Sequence, residues 1–382
     1  MKQMIKQWTS ICAILCLTAC TGQTPAEPFS FIVLDDVHYA GHDDYDWDII
    51  DTFDETAATR VKATVERSEI TFLPLMEELK SQAETFQPKP LAIVNSGDLI
   101  HGAVAIKPDA HCRNFIQKYT SVQMPIPLLN ANGNHEMSDG MEEAYDQYFL
   151  PFLSEQLNQT LTARYYSVDI GNAHFIVLDG MPPDRTGGDH EERNWELQEK
   201  QWQWLEADLA ENRDAEHIFM FSHAPLWPVS NGDVLYIFKP ERRQAFLDLL
   251  LVNNVRALFA GHQHMNSVVV YEQAGKQLVQ MIPNSSLPGL KTTKPAATRR
   301  EYTADEVTPG TEREWDIRGR ELVEREGNAI VHFEKTPQLS GYFMVSVDGP
   351  VITVRMYHGL GKQLYRTYTI RADEFTGFTR FE

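Results

Sequence analysis

The chain has 382 residues and a formal net charge of −20, with 42% hydrophobic and 23% charged residues. Its length and apolar content allow one large domain or two with ample core, and the absence of any 20-to-50-residue repeat excludes a solenoid. Nucleic acid binding normally relies on basic patches, so the acidic balance disfavours a nuclease and nucleic-acid partners generally.

In chain order, residues 1–19 read as an export signal. Lys2 and Lys6 precede an apolar stretch from Trp8 to Ala19, shorter than the roughly 20 residues needed to span a bilayer. The tetrapeptide Leu17-Thr18-Ala19-Cys20 resembles a bacterial lipobox, which implies lipid modification of Cys20 and membrane attachment of the mature chain. Thr21 after that cysteine, where an aspartate is absent, resembles an outer-membrane sorting signal. Cys12 and Cys16 would leave with the signal and only Cys112 would stay a free thiol, so no internal disulfide is expected.

Residues 20–28 form a membrane-proximal linker, and the core is expected over 29–286. A strand at 29–34, a helix near 60–85, a strand at 91–96, a helix near 109–120, a strand at 126–130 and a helix near 140–150 give a βαβ rhythm that predicts a mostly parallel sheet. Within this run, the acidic stretch from Asp43 to Glu55 partly echoes a calcium loop. Ile49 stands where that loop requires glycine, so the stretch reads as a solvated rim of the cleft. Ala163–Asp169 and Ala173–Asp179 flank Gly171-Asn172 as a hairpin, and 194–211 reads as a helix with Trp195, Trp202, Leu205 and Leu209 on its core face. Strands follow at 268–270 and 278–281, turned at Gly275. The segment 287–328, rich in charge, threonine and proline, reads either as a solvated loop or as a lid. Residues 329–382 would complete the core with antiparallel strands.

Short polar clusters punctuate this order: Asp36-Val37-His38, Gly97-Asp98, Gly133-Asn134-His135-Glu136, His223, and Gly261-His262-Gln263-His264. Each follows an apolar run of four or more residues, for example Phe31-Ile32-Val33-Leu34 before Asp36 and Ala257-Leu258-Phe259-Ala260 before His262. The candidate ligands therefore sit at carboxyl ends of buried strands, where open α/β sheets place their binding crevice. A single buried histidine is usually a hydrogen-bonded core residue. The ordered series carries the weight.

That series resembles the signature of the calcineurin-like metallophosphoesterase family, D-x-H, G-D, G-N-H-[DE], H, G-H-x-H, over roughly residues 29 to 285. The resemblance implies a four-layer α/β/β/α sandwich with mixed sheets and two metal ions, drawn from Mn, Fe or Zn. Asp98 would bridge them. Asp36, His38 and His264 would complete one site, and Asn134, His223 and His262 the other. A bridging water would be the nucleophile, and His135 would assist the leaving group. His101 stands where Ser/Thr phosphatases place an aspartate, and their arginines after the second and third motifs are absent, which makes His101 a candidate phosphate contact. Purple acid phosphatases carry a tyrosine ligand at that point and glycine in place of His38. The 5′-nucleotidase-like relatives add a large carboxyl-terminal domain. The expected activity is thus hydrolysis of a phosphomonoester or phosphodiester on a small or lipid-linked molecule at the bacterial cell envelope. The rival is a non-catalytic metal-binding envelope protein of the same fold. Oligomeric state stays open.

Overall fold

Every apolar run that precedes a motif forms a strand. The computed structural model describes residues 26–53, 55–138, 140–180, 197–230, 240–287, 301–307, 314–337, 340–359, 363–373 and 376–382. The strands are β1 (Phe29–Leu34), β2 (Pro90–Asn95), β3 (Leu128–Asn130), β4 (Tyr166–Ile170), β5 (Ala173–Val177), β6 (His217–Phe221), β7 (Val255–Phe259), β8 (Met265–Gln273), β9 (Lys276–Ile282), β10 (Ile330–Pro337), β11 (Gly341–Asp348), β12 (Val351–His358), β13 (Gln363–Ala372) and β14 (Thr379–Phe381). They build two seven-stranded mixed sheets, ordered β14-β13-β12-β11-β1-β2-β3 and β10-β8-β9-β7-β6-β5-β4. In the first, β1, β2 and β3 run parallel while β11 adds antiparallel to β1. In the second, β5, β6, β7 and β9 are parallel, β4 and β8 run antiparallel to them, and β10 pairs antiparallel with β8.

The strands are apolar on both faces because each sheet is covered twice. Phe31 of β1 packs its ring 4.9 Å from Phe175, 5.0 Å from Phe219 and 6.0 Å from Phe259, all on the opposite sheet. On the outside, helix Glu55–Thr85 lies on β2 with helix Pro108–Val122 beside it, and helix Pro240–Val252 lies on β7 and β9. The long helix buries Val61, Val65, Phe72, Leu75, Met76, Leu79 and Ala83, the three-and-four spacing of one apolar stripe. The result is the α/β/β/α sandwich.

Several expectations need adjustment. The helix expected near 140–150 extends to Leu157 and contains a widened turn at Tyr145–Phe149. Helix Glu199–Glu211 buries Trp202, Leu205 and Leu209 as read, while Trp195 lies outside the described residues. The acidic stretch after the first motif is not simply solvated. Asp44 is fully buried and accepts from Gly41 N–H at 2.5 Å and Asn114 Nδ2 at 2.7 Å, with His111 Nδ1 2.6 Å away; Asp54 lies outside the described residues. In 287–328, the described residues include helices Ala304–Val307 and Glu314–Glu326. Their charges pair inward: the Arg243 guanidinium donates to both Glu326 oxygens at 2.6 and 2.7 Å, and the Tyr302 hydroxyl donates to the Pro228 carbonyl at 3.0 Å. Residues 288–300 and 308–313, like 1–25 with Cys20, lie outside the described residues. Among the described residues, no helix is long and apolar enough to cross a membrane.

An ion cluster around the buried His174 of β5, with an exposed Asp169 on one side, makes stability depend on pH. His174 places Nδ1 2.7 Å from Asp169 Oδ1 and Nε2 2.8 Å from Asp208 Oδ2. Burial lowers its pKa, but the two carboxylates outweigh that and leave it raised. The stabilisation is therefore fully present below the unfolded imidazole value of about 6.5 and is lost as pH rises through the higher folded value. His174→Gln should lower the melting temperature more at pH 6 than at pH 9. Equal losses at both would show that the ring is neutral throughout.

Candidate metal centre

The motif residues reach one cleft because the chain turns sharply at the strand ends. Asp36, His38, Asp98, His262 and His264 all adopt positive φ, between 45 and 70°, a region that costs an L-residue about 1 to 2 kcal/mol. Such strain persists only where surrounding bonds over-determine it. Here, Asp36 N–H donates to the Gly97 carbonyl at 3.2 Å and His38 N–H to the Asp98 carbonyl at 2.8 Å, which ties the first motif to the second. His262 N–H donates to Asp36 Oδ2 at 3.0 Å, bringing in the last motif from the other sheet. Glu136, fully buried, accepts the backbone N–H groups of Asp98, Leu99, Ile100 and Gly133 at 2.6 to 3.2 Å. The glycines are required by contact: a Cβ at Gly133 would lie 2.0 Å from Asp98 Oδ1, and one at Gly97 would lie 2.4 Å from His223 Nδ1.

The donors separate into two groups, Asp36 with His38 and His264, and Asp98 with His223 and His262, the ligand atoms in each lying within 4.8 Å of one another. His264 Nε2 is 3.3 Å from Asp36 Oδ1 and 3.1 Å from His38 Nε2. Asp98 Oδ2 faces both groups, 3.1 Å from His223 Nε2 and 3.8 Å from His38 Nε2, while Oδ1 accepts the His135 N–H at 2.9 Å. Asn134 Oδ1 and Asp36 Oδ1 are buried without hydrogen-bond partners. Buried acceptors of that kind ordinarily have a partner, and a cation is what this mixed carboxylate, imidazole and amide set would hold. The residues fit a pair of ions.

Burial would lower the His223 pKa, but Asp98 outweighs it and raises the ring to about 9. Burial likewise resists ionisation of Asp98, yet His223 and His135 hold it well below the ordinary carboxylate range. His38 moves the other way: burial, against its Asp36 contact, brings it down to about 4 and leaves the neutral ring a metal ligand needs.

His135 sits beside the two groups. Its Nδ1–H donates to the Gly102 carbonyl at 2.5 Å, and Nε2 lies 4.0 Å from Asp98 Oδ2 on a side chain that keeps 25% exposure. His101 stacks on it, ring centroids 4.5 Å apart, with Nδ1 3.2 Å from His38 Nδ1. The structure thus brings Asp36, His38, Asp98, Asn134, His135, His223, His262, His264 and His101 to one cleft. Sequence reasoning missed three contributors. Glu136 was visible in its motif but had no assigned task, the Gly102 carbonyl is a backbone group with no side-chain signal, and Asp35 hides behind Asp36.

A family model for the calcineurin-like phosphoesterase matches residues 31–266. The chain belongs to that family. Calcineurin-like phosphoesterases are dinuclear metal enzymes, and the two donor groups meeting at Asp98 are what two ions require. The chain is 25% identical over 211 residues to the serine/threonine-protein phosphatase CPPED1 of Rattus norvegicus, covering 52% of this chain and 61% of that protein. It is 24% identical over 184 residues to a probable cyclic nucleotide phosphodiesterase of Rhodococcus erythropolis, covering 48% and 54%. It therefore spans less than two thirds of either relative. Among solved structures, the purple acid phosphatase PPD1 of yellow lupin (Lupinus luteus) superposes with a TM-score of 0.53 at 13% identity, over 91% of this chain and 55% of that one. That likeness is one of fold.

Because Asp98 faces both donor groups, Asp98→Asn should bind fewer than two ions by elemental analysis, whereas His223→Ala should chiefly weaken one ion, with partial rescue by excess metal. Two tightly held ions in Asp98→Asn would sink the bridging assignment.

Proposed function

We propose that the chain is a metal-dependent phosphoesterase of the bacterial cell envelope, acting on a phosphomonoester or phosphodiester of a small or lipid-linked molecule. The observation that carries the reading is the pair of donor groups joined at Asp98 with the Nε2 edge of His135 beside them. Asp36, His38, Asp98 and His264 would hold one ion, and Asp98, Asn134, His223 and His262 the other. Bound there, two ions of Mn, Fe or Zn type would polarise the phosphoryl oxygens and lower the pKa of the attacking water.

The chain's own residues do the rest. The Gly102 carbonyl accepts a hydrogen bond from the Nδ1–H of His135, fixing the ring plane so that Nε2 is the working nitrogen. With a proton on both nitrogens, the ring would pass its Nε2 proton to the departing alkoxide oxygen and become neutral, its Nδ1–H staying on the Gly102 carbonyl. His101, stacked on that ring, limits its swing and offers a further donor toward the phosphate. Names of the relatives support both ester classes, a protein phosphatase on one side and a cyclic nucleotide phosphodiesterase on the other. The missing phosphatase arginines near His101 and after Glu136 favour a small substrate over a phosphoprotein, and the acidic charge disfavours a nucleic acid polymer.

Aryl monoesters and diesters assayed in parallel on the metal-loaded protein test the reading; no turnover of either would overturn it. His135→Ala should keep both ions yet lose roughly 10²- to 10⁴-fold in kcat, most for poor alkoxide leaving groups and least for nitrophenolate. A uniform loss across leaving groups would assign His135 to substrate positioning instead.

Envelope attachment rests on Leu17-Thr18-Ala19-Cys20, since acyl chains on one cysteine suffice to hold a water-soluble domain at a membrane when two or more are attached. Cys20→Ala should release the protein to the soluble fraction or stall its processing. Failure of the wild type to incorporate labelled fatty acid would remove the anchor.

A further inference from the structure

Asp35 is a buried carboxyl group that the donor set above leaves unused. It is fully buried, and neither carboxylate oxygen has a hydrogen-bond partner. Its backbone is pinned on both sides: Asp35 N–H donates to Ser286 Oγ at 3.0 Å, and Ser286 N–H donates to the Asp35 carbonyl at 2.8 Å. Asp35 Oδ1 lies 3.9 Å from His223 Nδ1, and the ligand atoms of Asp35, Asp36 and His223 fall within 4.8 Å of one another.

The surroundings are shaped to keep it there. A Cβ on Gly261 would lie 1.8 Å from Asp35 Oδ1, so the glycine that opens the last motif is the wall of this carboxylate's cavity. His223 Nδ1–H donates to the Ser96 carbonyl at 3.1 Å, which turns Nε2 toward Asp98 and leaves Asp35 behind the ring. A buried carboxylate without donors is costly unless a cation compensates it. The cations this cleft is built to receive are the metal ions.

Resting on the dinuclear reading above, we propose that Asp35 is a positioning residue of the metal centre: its charge, set behind His223 and beside Asp36, strengthens retention of the ion that His223 holds without contacting substrate. The carboxylate acts through space, from 3.9 Å behind an imidazole whose Nδ1–H the Ser96 carbonyl already holds.

The test is metal affinity and metal-dependent stability of the full chain, with Zn²⁺ or Mn²⁺ added alone. Asp35→Asn keeps the shape and removes the charge. It should bind the ion at His223 10- to 100-fold less tightly in chelator competition, and its melting temperature should rise less on adding metal. The metal-free variant should melt no lower than the metal-free wild type, because neither Asp35 oxygen has a hydrogen-bond partner to lose. Equal metal affinity would overturn the proposal, and so would a lower melting point of the metal-free variant, which would make Asp35 a purely structural group. If Asp35→Asn fails to fold, Asp35→Ser is held to the same outcomes. A wild type that binds no ions would sink the metal centre itself, whereas wild-type binding matched by the variant would sink only the role of Asp35.

Discussion

Carboxylates stripped of water are the constraint on which this structure turns. Asp35, Asp36, Asp98 and Glu136 are all buried at the ends of adjacent strands, where mutual repulsion and lost hydration would drive them apart. Three devices hold them. Backbone N–H groups converge on Glu136, histidines ring Asp98, and the remaining oxygens of Asp35 and Asp36 stay open for charge from outside. The strained φ values at five motif residues follow from the same need, since only a sharp turn at each strand end points the acid or imidazole into the cleft.

The sandwich supplies the rigidity that such an arrangement demands. Asp36, Asp98 and Asn134 come from the first sheet, and His223, His262 and His264 from the second. Neither sheet alone completes either donor group. The phenylalanine cluster around Phe31 locks the sheets face to face, so apolar packing far from the cleft fixes the distance between donors. Close packing of this kind resists small displacements, and ligand geometry inherits that stiffness. The outlying helix Glu314–Glu326 adds a second brace: Glu326 clamps Arg243, whose guanidinium also donates to the Leu226 carbonyl just beyond His223.

Departures from related phosphatases show how the same chemistry can be supported differently. Where the Ser/Thr phosphatase pattern has an aspartate, this chain has His101, and the Gly102 carbonyl accepts the Nδ1–H of His135. A carbonyl fixes the ring plane without adding full negative charge. In a cleft already crowded with carboxylates, that substitution is electrostatically reasonable.

The sequence by itself determined the strands and the motif residues they carry, because four-residue apolar runs ending in Asp, Asn, His or Gly leave few other readings. It also determined the core face of Trp202, Leu205 and Leu209 and the hairpin at Gly171-Asn172, since both rest on local periodicity and turn chemistry. Only the tertiary structure decided that the charged segment before Glu326 folds into helix, because its stabilising partner Arg243 is distant in sequence. It alone showed that Asp44 is interior rather than solvated, its partners His111 and Asn114 arriving from another helix. The tasks of Glu136, Asp35 and the Gly102 carbonyl were hidden for the same reason: each depends on contacts between chain ends of different strands, and no local pattern encodes a contact made at long range.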